Sequence, residues 1–415
     1  MTTVIELTND QQKALVNFFV FMADPLDPVF VLSGYSGCGK TTLITTILEK
    51  LPEMNKANKL LNIKYKELTN VLTATTNKAA ENFSSITDQE CVTIHSFLGL
   101  RVLTDYKNNS TRLSSYSLDI KEDYLIFIDE ASYVDKQLLE YIFKKTNNCK
   151  IVFIGDPAQL TPVKTNSAPV FLANFKGAHL SQVVRQAEGN PIIDLSTSFR
   201  NTVNSGQFFN FSPDGNSIVH LNRDDFNAEI LAEFGKPNHH FKNAVVLAWT
   251  NKRVIQYNNY IKDHVSGNSE LQKGDYAICN KYISKGKMHS VKTDEMVFIN
   301  SISLDYKEHN VIGKDYEIDG HWYFMPNNLE DKKDVLRKAK TNENFHLIQE
   351  IDENWIDLRS AYACTINKSQ GSTFDKVFID LDDIKKCNSG NQIARMMYVA
   401  CSRARTKLFL TGDLF

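Results

Sequence analysis

The sequence predicts an α/β protein built on parallel sheets covered on both faces, and three observations predict it. Short apolar, β-branched runs recur along the chain, stretches of helical pattern such as residues 41–51 separate them, and polar or glycine-containing residues follow most runs at once. Four or five continuous apolar residues suit a strand buried on both sides, the condition of a parallel sheet. Ligands of open α/β sheets collect outside the carboxyl ends of the strands, which is where the polar residues fall.

In chain order the runs occupy residues 29–33, 70–73, 124–128, 150–154, 244–248, 376–379 and 407–410. The polar groups behind them are residues 34–39, residues 74–77, Asp129 with Glu130, Gly155 with Asp156, and Thr250 with Asn251. Two stretches break the rhythm. Residues 97–122 are polar and turn-rich around Asn108 and Asn109, which predicts a β-hairpin insertion over residues 98–122. From residue 271 to 346 short alternating segments give way to a charged stretch over 330–340, the pattern of a small β-rich domain inserted in the second half.

The 415 residues correspond to two or three domains of about 150 each, enough to bury a core without disulfide or metal staples. Hydrophobic residues at 42% and charged residues at 23% are ordinary globular usage and exclude collagen-like, low-complexity and wholly disordered chains. Seven cysteines, an odd number with no C-x-x-C pair, indicate reduced packing thiols and neither a disulfide framework nor a zinc site. The first residues lack the basic start and apolar run of a signal peptide, and no stretch approaches the roughly 18 apolar residues of a membrane span. A cytoplasmic location without membrane partners is therefore expected. With a net charge of −2, any binding to nucleic acid requires a local basic track.

Two motifs carry chemistry by residue type and spacing. Gly34-Tyr35-Ser36-Gly37-Cys38-Gly39-Lys40-Thr41 matches G-x-x-x-x-G-K-[ST] in full, between a predicted strand and a predicted helix. There the glycines let backbone N–H groups and a helix amino terminus wrap phosphates, Lys40 reaches the β and γ phosphates, and Thr41 supplies a hydroxyl to Mg²⁺. Residues 124–128 lead into Asp129 and Glu130, an apolar strand ending in paired carboxylates. That pattern fits a metal ligand at Asp129 and a base at Glu130 that polarises attacking water. Together the motifs point to hydrolysis of a nucleoside triphosphate.

Further motifs follow in a fixed order: residues 7–11, 34–42, 75–80, 93–96, 129–132, 155–162, 184–186, 250–252, 365–371 and 398–405. With this ordered set the chain resembles, over nearly its whole length, superfamily 1 helicases of the RecD-like, 5′-to-3′ branch, most closely the Dda helicases of tailed bacteriophages. The resemblance implies an ATP- and Mg²⁺-dependent DNA helicase with two RecA-like parallel-sheet P-loop motor domains, over residues 1–178 and over 179–266 with 350–415. The hairpin would belong to the first motor, and an SH3-like β-barrel insertion over 267–349 to the second. ATP would bind between the motors, with Gln11 reading the adenine and Thr42, Gln370 and Gly371 completing the nucleotide site. Gln159 would sense the γ-phosphate, while Arg185 and Arg403 reach the transferring phosphoryl group. Taken singly, Gln11 also reads as a helix-surface amide, Gln159 as a loop residue, and the two arginines as surface ion-pair partners.

The same resemblance implies a path for single-stranded DNA over Thr76, Lys78, Thr93 and His95 in the first motor. In the second it would follow Trp249, Thr250, Asn251, Lys252, Thr365, Asn367 and Lys368. Such hydroxyls, amides and cations hold phosphates without reading bases. His95 reads equally well as a packed, hydrogen-bonded histidine, and Trp249 as a core residue closing its strand. Relatives commonly carry proline at the position of Thr75 and histidine at that of Asn367, so altered DNA affinity or coupling is expected. The hairpin falls where relatives carry a duplex-splitting wedge, with Leu103, Tyr106, Leu113 and Tyr116 as candidates; the plain alternative is a surface hairpin packed on its own body. Residues 271–294 hold five lysines against two aspartates, either a strand-guiding track or a solvated face.

Expected partners are single-stranded DNA, forked or tailed duplex, and single-strand-binding or replication proteins, with the chain itself monomeric and, if phage-encoded, in the host cytoplasm. Three other readings stay open: a single-strand translocase that displaces bound proteins, a non-hydrolysing DNA-binding nucleotide switch, and RNA as substrate.

Overall fold

Each continuous apolar run becomes a strand of one of two parallel sheets. The computed structural model describes residues 7–60, 67–105, 110–161, 168–182, 190–236, 240, 242–268, 270–285 and 289–414. It divides into two compact units, one of residues 1–103, 111–211 and 389–402, the other of residues 104–110, 212–388 and 403–415.

The first unit holds a six-stranded sheet in the order Lys176–Leu180, Val29–Gly34, Lys150–Gly155, Tyr124–Asp129, Thr69–Ala74 and Cys91–Thr93. All its pairings are parallel. Alternate residues face opposite ways. Phe30, Leu32, Leu125, Phe127, Val152 and Ile154 pack under helices Asn9–Ala23 and Lys40–Leu60. On the other face Val29, Ile126, Ile128, Ile151 and Phe153 pack against Leu138 and Ile142 of helix Lys136–Lys144. Covering both faces removes the need for polar alternation, which is why these strands read as unbroken apolar runs. At roughly 1.5–3 kcal/mol per buried large side chain, this double layer is the main source of the unit's stability.

The second unit holds a five-stranded parallel sheet in the order Ile218–Leu221, Ala404–Thr411, Phe374–Asp380, Ala244–Ala248 and Ala363–Thr365. Helices Arg223–Phe234 and Asn251–Ser266 cover it through Phe226, Ile230, Phe234, Val254, Tyr257 and Ile261. Phe378 and Phe409, on neighbouring strands, stack with ring centres 4.6 Å apart.

The predicted β-rich insertion is a set of small antiparallel sheets, and it ends later than residue 349. Strand Leu358–Ser360 pairs antiparallel with Tyr276–Cys279, which in turn pairs with Met296–Phe298. The charged stretch over 330–340 lies in helix Leu329–Thr341, followed by helix Phe345–Asn354. Strands Leu100–Asp105 and Ser110–Ser115 pair as a two-stranded sheet where the hairpin is expected. Leu113 is buried among Leu100, Leu138 and Ile142, so it serves the core and not a wedge, whereas Tyr116 is 60% exposed. Tyr106 and the side chain of Leu103 lie outside the described residues.

The compact units also part elsewhere than at residue 178. Helices Pro191–Ser205 and Gly390–Cys401 both pack within the first unit, where Ser196 Oγ donates to the Tyr398 carbonyl at 3.4 Å. No helix among the described residues is long and apolar enough to cross a membrane.

Candidate nucleotide and strand-binding site

Parallel register aligns the carboxyl ends of the first sheet. Ser33 lies opposite Gly155, Ala74 opposite both Asp129 and Thr93, and Gly34 opposite Leu180. The loops leaving these ends therefore emerge on one edge, and they carry the predicted site residues.

The loop after Gly34 is shaped by its glycines. A Cβ on Gly34 would lie 2.7 Å from Cys38 Sγ and 2.9 Å from Leu180 Cβ, so no side chain fits. Gly37 and Gly39 hold φ of 80° and 77°, the left-handed region that costs other residues free energy. Helix Lys40–Leu60 starts at once, with its first N–H groups turned to the loop. Lys40 Nζ donates to the carbonyls of Gly34 at 2.7 Å and Tyr35 at 3.0 Å. The hydroxyl of Thr41 makes no hydrogen bond with a described residue.

Gln11 is buried and anchors helix Asn9–Ala23 to this loop. Its Oε1 accepts from Thr8 N at 2.9 Å, completing a reciprocal cap with the Thr8 hydroxyl. Its Nε2 donates to the carbonyls of Cys38 at 3.2 Å and Gly39 at 3.3 Å. The amide is thus fixed against the loop and is not a surface group.

Asp129 ends its strand, and burial pushes its carboxyl pKa up, opposed by the Glu130 N–H and the Lys40 charge. Glu130 sits at φ 52°, ψ 45° before the short turn Ala131–Tyr133, which re-aims the chain sharply at the strand end. Thr75 holds this turn from the neighbouring strand: its N–H donates to Asp129 O at 3.2 Å and its hydroxyl to Glu130 O at 3.0 Å. A proline there has neither donor. Thr75 thus ties the main chain of the carboxylate pair with two bonds that proline could not make.

Residues 156–159 are fastened from helix Gly390–Cys401. The buried Asp156 accepts from Ala158 N at 2.9 Å and from the Tyr398 hydroxyl at 2.5 Å. That hydroxyl also accepts from Ser36 N at 2.9 Å, so one phenol joins the phosphate loop to the Asp156 loop. Burial and then Asp156 raise the Tyr398 pKa well above its ordinary value, which keeps it a donor. One turn earlier, Arg395 Nη1 donates to Pro157 O at 2.7 Å and to Gln159 O at 2.6 Å. Gln159 is buried beneath these contacts. Sequence reasoning placed Asp156 at a strand end but missed Arg395 and the bridging role of Tyr398; a lone arginine inside the apolar helical run 393–401 was the available signal. Replacing Tyr398 with Phe leaves Ser36 N and Asp156 short of a partner. Stability is expected to fall by about 1–3 kcal/mol in urea unfolding, and a change below about 0.5 kcal/mol contradicts the bridge.

The four threonines predicted to touch DNA share a structural job. Thr76, Thr93, Thr250 and Thr365 each end or closely follow a strand and cap the next helix, accepting from Ala79 N, Ser96 N, Arg253 N and Lys368 N. Thr76 is exposed at the head of helix Asn77–Thr87, with Lys78 in its first turn. His95 is half-buried, and burial lowers its pKa against the opposing pull of Asp135, which favours the neutral imidazole.

In the second unit, Asp383 accepts from Trp249 N at 2.9 Å and from both N–H and hydroxyl of Thr250. Trp249 is half-buried, while Asn251 and Lys252 are exposed. Lys368 pairs with Asp294 at 2.7 Å and also bonds Asn280, and Asn367 is half-buried beside it. Gln370 is buried and Gly371 turns at φ 74°. Arg403 is buried, its Nη1 donating to Ser372 O at 3.1 Å. Arg185 lies outside the described residues.

A phosphate-wrapping loop with its lysine, a carboxylate pair in register beside it and a buried glutamine loop define a P-loop nucleoside triphosphatase. The AAA domain family matches residues 6–218, just over half of the chain, and the UvrD-like helicase C-terminal domain family matches residues 360–411. The chain is 24% identical to the ATP-dependent DNA helicase dda of Enterobacteria phage T4, over 91% of this chain and 93% of that one. Its fold is similar to that of a Pif1 helicase solved at forked double-stranded DNA, with a TM-score of 0.53 and 20% identity over 99% of this chain and 93% of the other. It is likewise similar to a Bacteroides Pif1 helicase solved with ADP-AlF3 and single-stranded DNA, with a TM-score of 0.51 and 18% identity over the same shares. The chain belongs to the AAA domain family and is an ATP-dependent DNA helicase, similar to the RecD-like helicases of superfamily 1.

Proposed function

We propose that the chain moves 5′ to 3′ along single-stranded DNA and separates duplex DNA ahead of it, coupling ATP hydrolysis to closing and opening of two motor domains. The observation that carries the reading is the shared sheet edge of the first unit. Nucleotide groups (residues 34–41, Asp129, Glu130) and the strand-binding candidates Thr76, Lys78, Thr93 and His95 leave neighbouring strands at the same end. A change at the nucleotide is then transmitted to the DNA contacts through one rigid sheet.

Lys40 and the N–H groups at the head of its helix would hold the phosphates. Glu130 would accept the proton of the attacking water, and Gln159 would sense the terminal phosphate. Arg185 and Arg403 would stabilise charge on the transferring group, and Gln370 and Gly371 would complete the nucleotide site. The Thr41 hydroxyl and the Asp129 carboxylate are hard oxygen donors, which suits Mg²⁺. That ion supplies charge neutralisation on the phosphates when bound. Thr250, Asn251, Lys252, Thr365, Asn367 and Lys368 would grip the strand from the second motor, with Trp249 beside a base. The contacts are to phosphate, so the grip is independent of sequence and weakens with salt. The β-rich insertion is proposed to be SH3-like, and the hairpin to work as the wedge through its exposed Tyr116.

ATP hydrolysis measured with and without single-stranded DNA tests the motor reading. Wild type is expected to be strongly stimulated by DNA, and Lys40→Ala to lose turnover by about a thousandfold or more. Hydrolysis indifferent to DNA, or retained in Lys40→Ala, rejects the reading.

A further inference from the structure

Tyr35, the second residue of the phosphate loop, is flanked on two sides. The Arg200 guanidinium lies over its ring with Cζ 3.7 Å from the ring centre, and the His179 imidazole meets it edge-on at 4.9 Å and 83°. Arg200 projects from helix Pro191–Ser205. It is half-buried and its Nε is fully enclosed, yet no described residue gives the guanidinium a hydrogen bond or a carboxylate. An arginine has five N–H donors in a fork that matches phosphate oxygens, and half-burying that cation without an anion is unfavourable. Two cations therefore meet Tyr35: Arg200 at its ring, and Lys40, the lysine of the phosphate-loop motif, whose Nζ donates to its backbone carbonyl at 3.0 Å. A phosphate held by Lys40 is thus the candidate anion.

We propose that Arg200 is a ligand of the terminal phosphate of bound nucleoside triphosphate, held ready by the face of Tyr35. It rests on the reading that residues 34–41 bind ATP, and it adds a cation from the phosphate-loop unit itself, separate from Arg185 and Arg403. Tyr35 keeps the planar guanidinium close to the loop, so little side-chain freedom is lost when phosphate arrives.

The test is equilibrium binding of fluorescent ATP and ADP to wild type, Arg200→Gln, Arg200→Lys and Lys40→Ala, with thermal unfolding to verify folding. Arg200→Gln is expected to weaken ATP by about tenfold or more and ADP by less than about threefold, with Arg200→Lys recovering part of the loss. If Lys40→Ala loses ATP while Arg200→Gln and Arg200→Lys bind it as wild type does, the Arg200 assignment is wrong and the nucleotide site stands. Equal weakening of ATP and ADP also overturns the assignment, because it removes the preference for the terminal phosphate. If Lys40→Ala binds ATP normally, the nucleotide site itself is misplaced and the inference falls with it.

Discussion

With glutamine at position 130, ATP turnover is expected to fall by about 10²–10⁴-fold while ATP binding stays within about twofold of wild type. The amide keeps the size and polarity of the carboxylate but cannot take a proton from water. The backbone should be undisturbed, since the left-handed turn at Glu130 is held through its carbonyl by the Thr75 hydroxyl and not through its side chain alone. Single-turnover hydrolysis with equilibrium binding separates the two effects. Turnover within tenfold of wild type would move the base elsewhere, and loss of binding would make Glu130 a structural residue.

Replacing Asp380 with Ala is expected to destabilise the chain by about 2–4 kcal/mol at neutral pH, because it removes the carboxylate shared by the half-buried Arg223 and Arg253. Asp380 is 0% exposed and ends the strand Phe374–Asp380. Its carboxylate accepts from Arg223 Nη1 and Nη2 at 3.0 Å each, Arg253 Nε at 2.6 Å and the Tyr257 hydroxyl at 2.8 Å. Burial alone would raise its pKa, but the bonds from Arg223, Arg253 and Tyr257 outweigh it and hold the carboxyl below its ordinary value. A depressed folded pKa gives stability that is fully present above the unfolded value of about 3.9 and is lost as pH falls through the folded one. Urea unfolding of wild type and Asp380→Ala should therefore differ most at neutral pH, and the gap should narrow below about pH 4. A constant gap across that range, or one below about 1 kcal/mol at pH 7, contradicts the ion cluster as the source.

The strands legible in the sequence are those with neighbours on both sides and buried residues on both faces, such as Leu125 to Ile128 and Val245 to Ala248. Edge strands escaped because one side stays wet or the strand is very short. Lys176–Leu180 exposes Lys176, Gly177 and His179, and Cys91–Thr93 and Ala363–Thr365 have three residues each. The phosphate loop and the carboxylate pair were legible because their chemistry demands particular residues at fixed spacing along one stretch of chain. The fastening of residues 156–159 by Arg395 and Tyr398 was not, since the partners are 236 to 242 residues apart. Leu113 shows the opposite difficulty: an apolar residue in a polar hairpin reads as a tip contact, yet strand alternation turns it into the core.

Unwinding of two duplexes that differ only in carrying a 5′ or a 3′ single-stranded tail tests the central claim most directly. The account predicts ATP-dependent strand separation from the 5′ tail alone, abolished in Lys40→Ala. Separation from the 3′ tail reverses the direction, and DNA-stimulated hydrolysis with no separation from either tail would leave a translocase in place of the proposed unwinding motor.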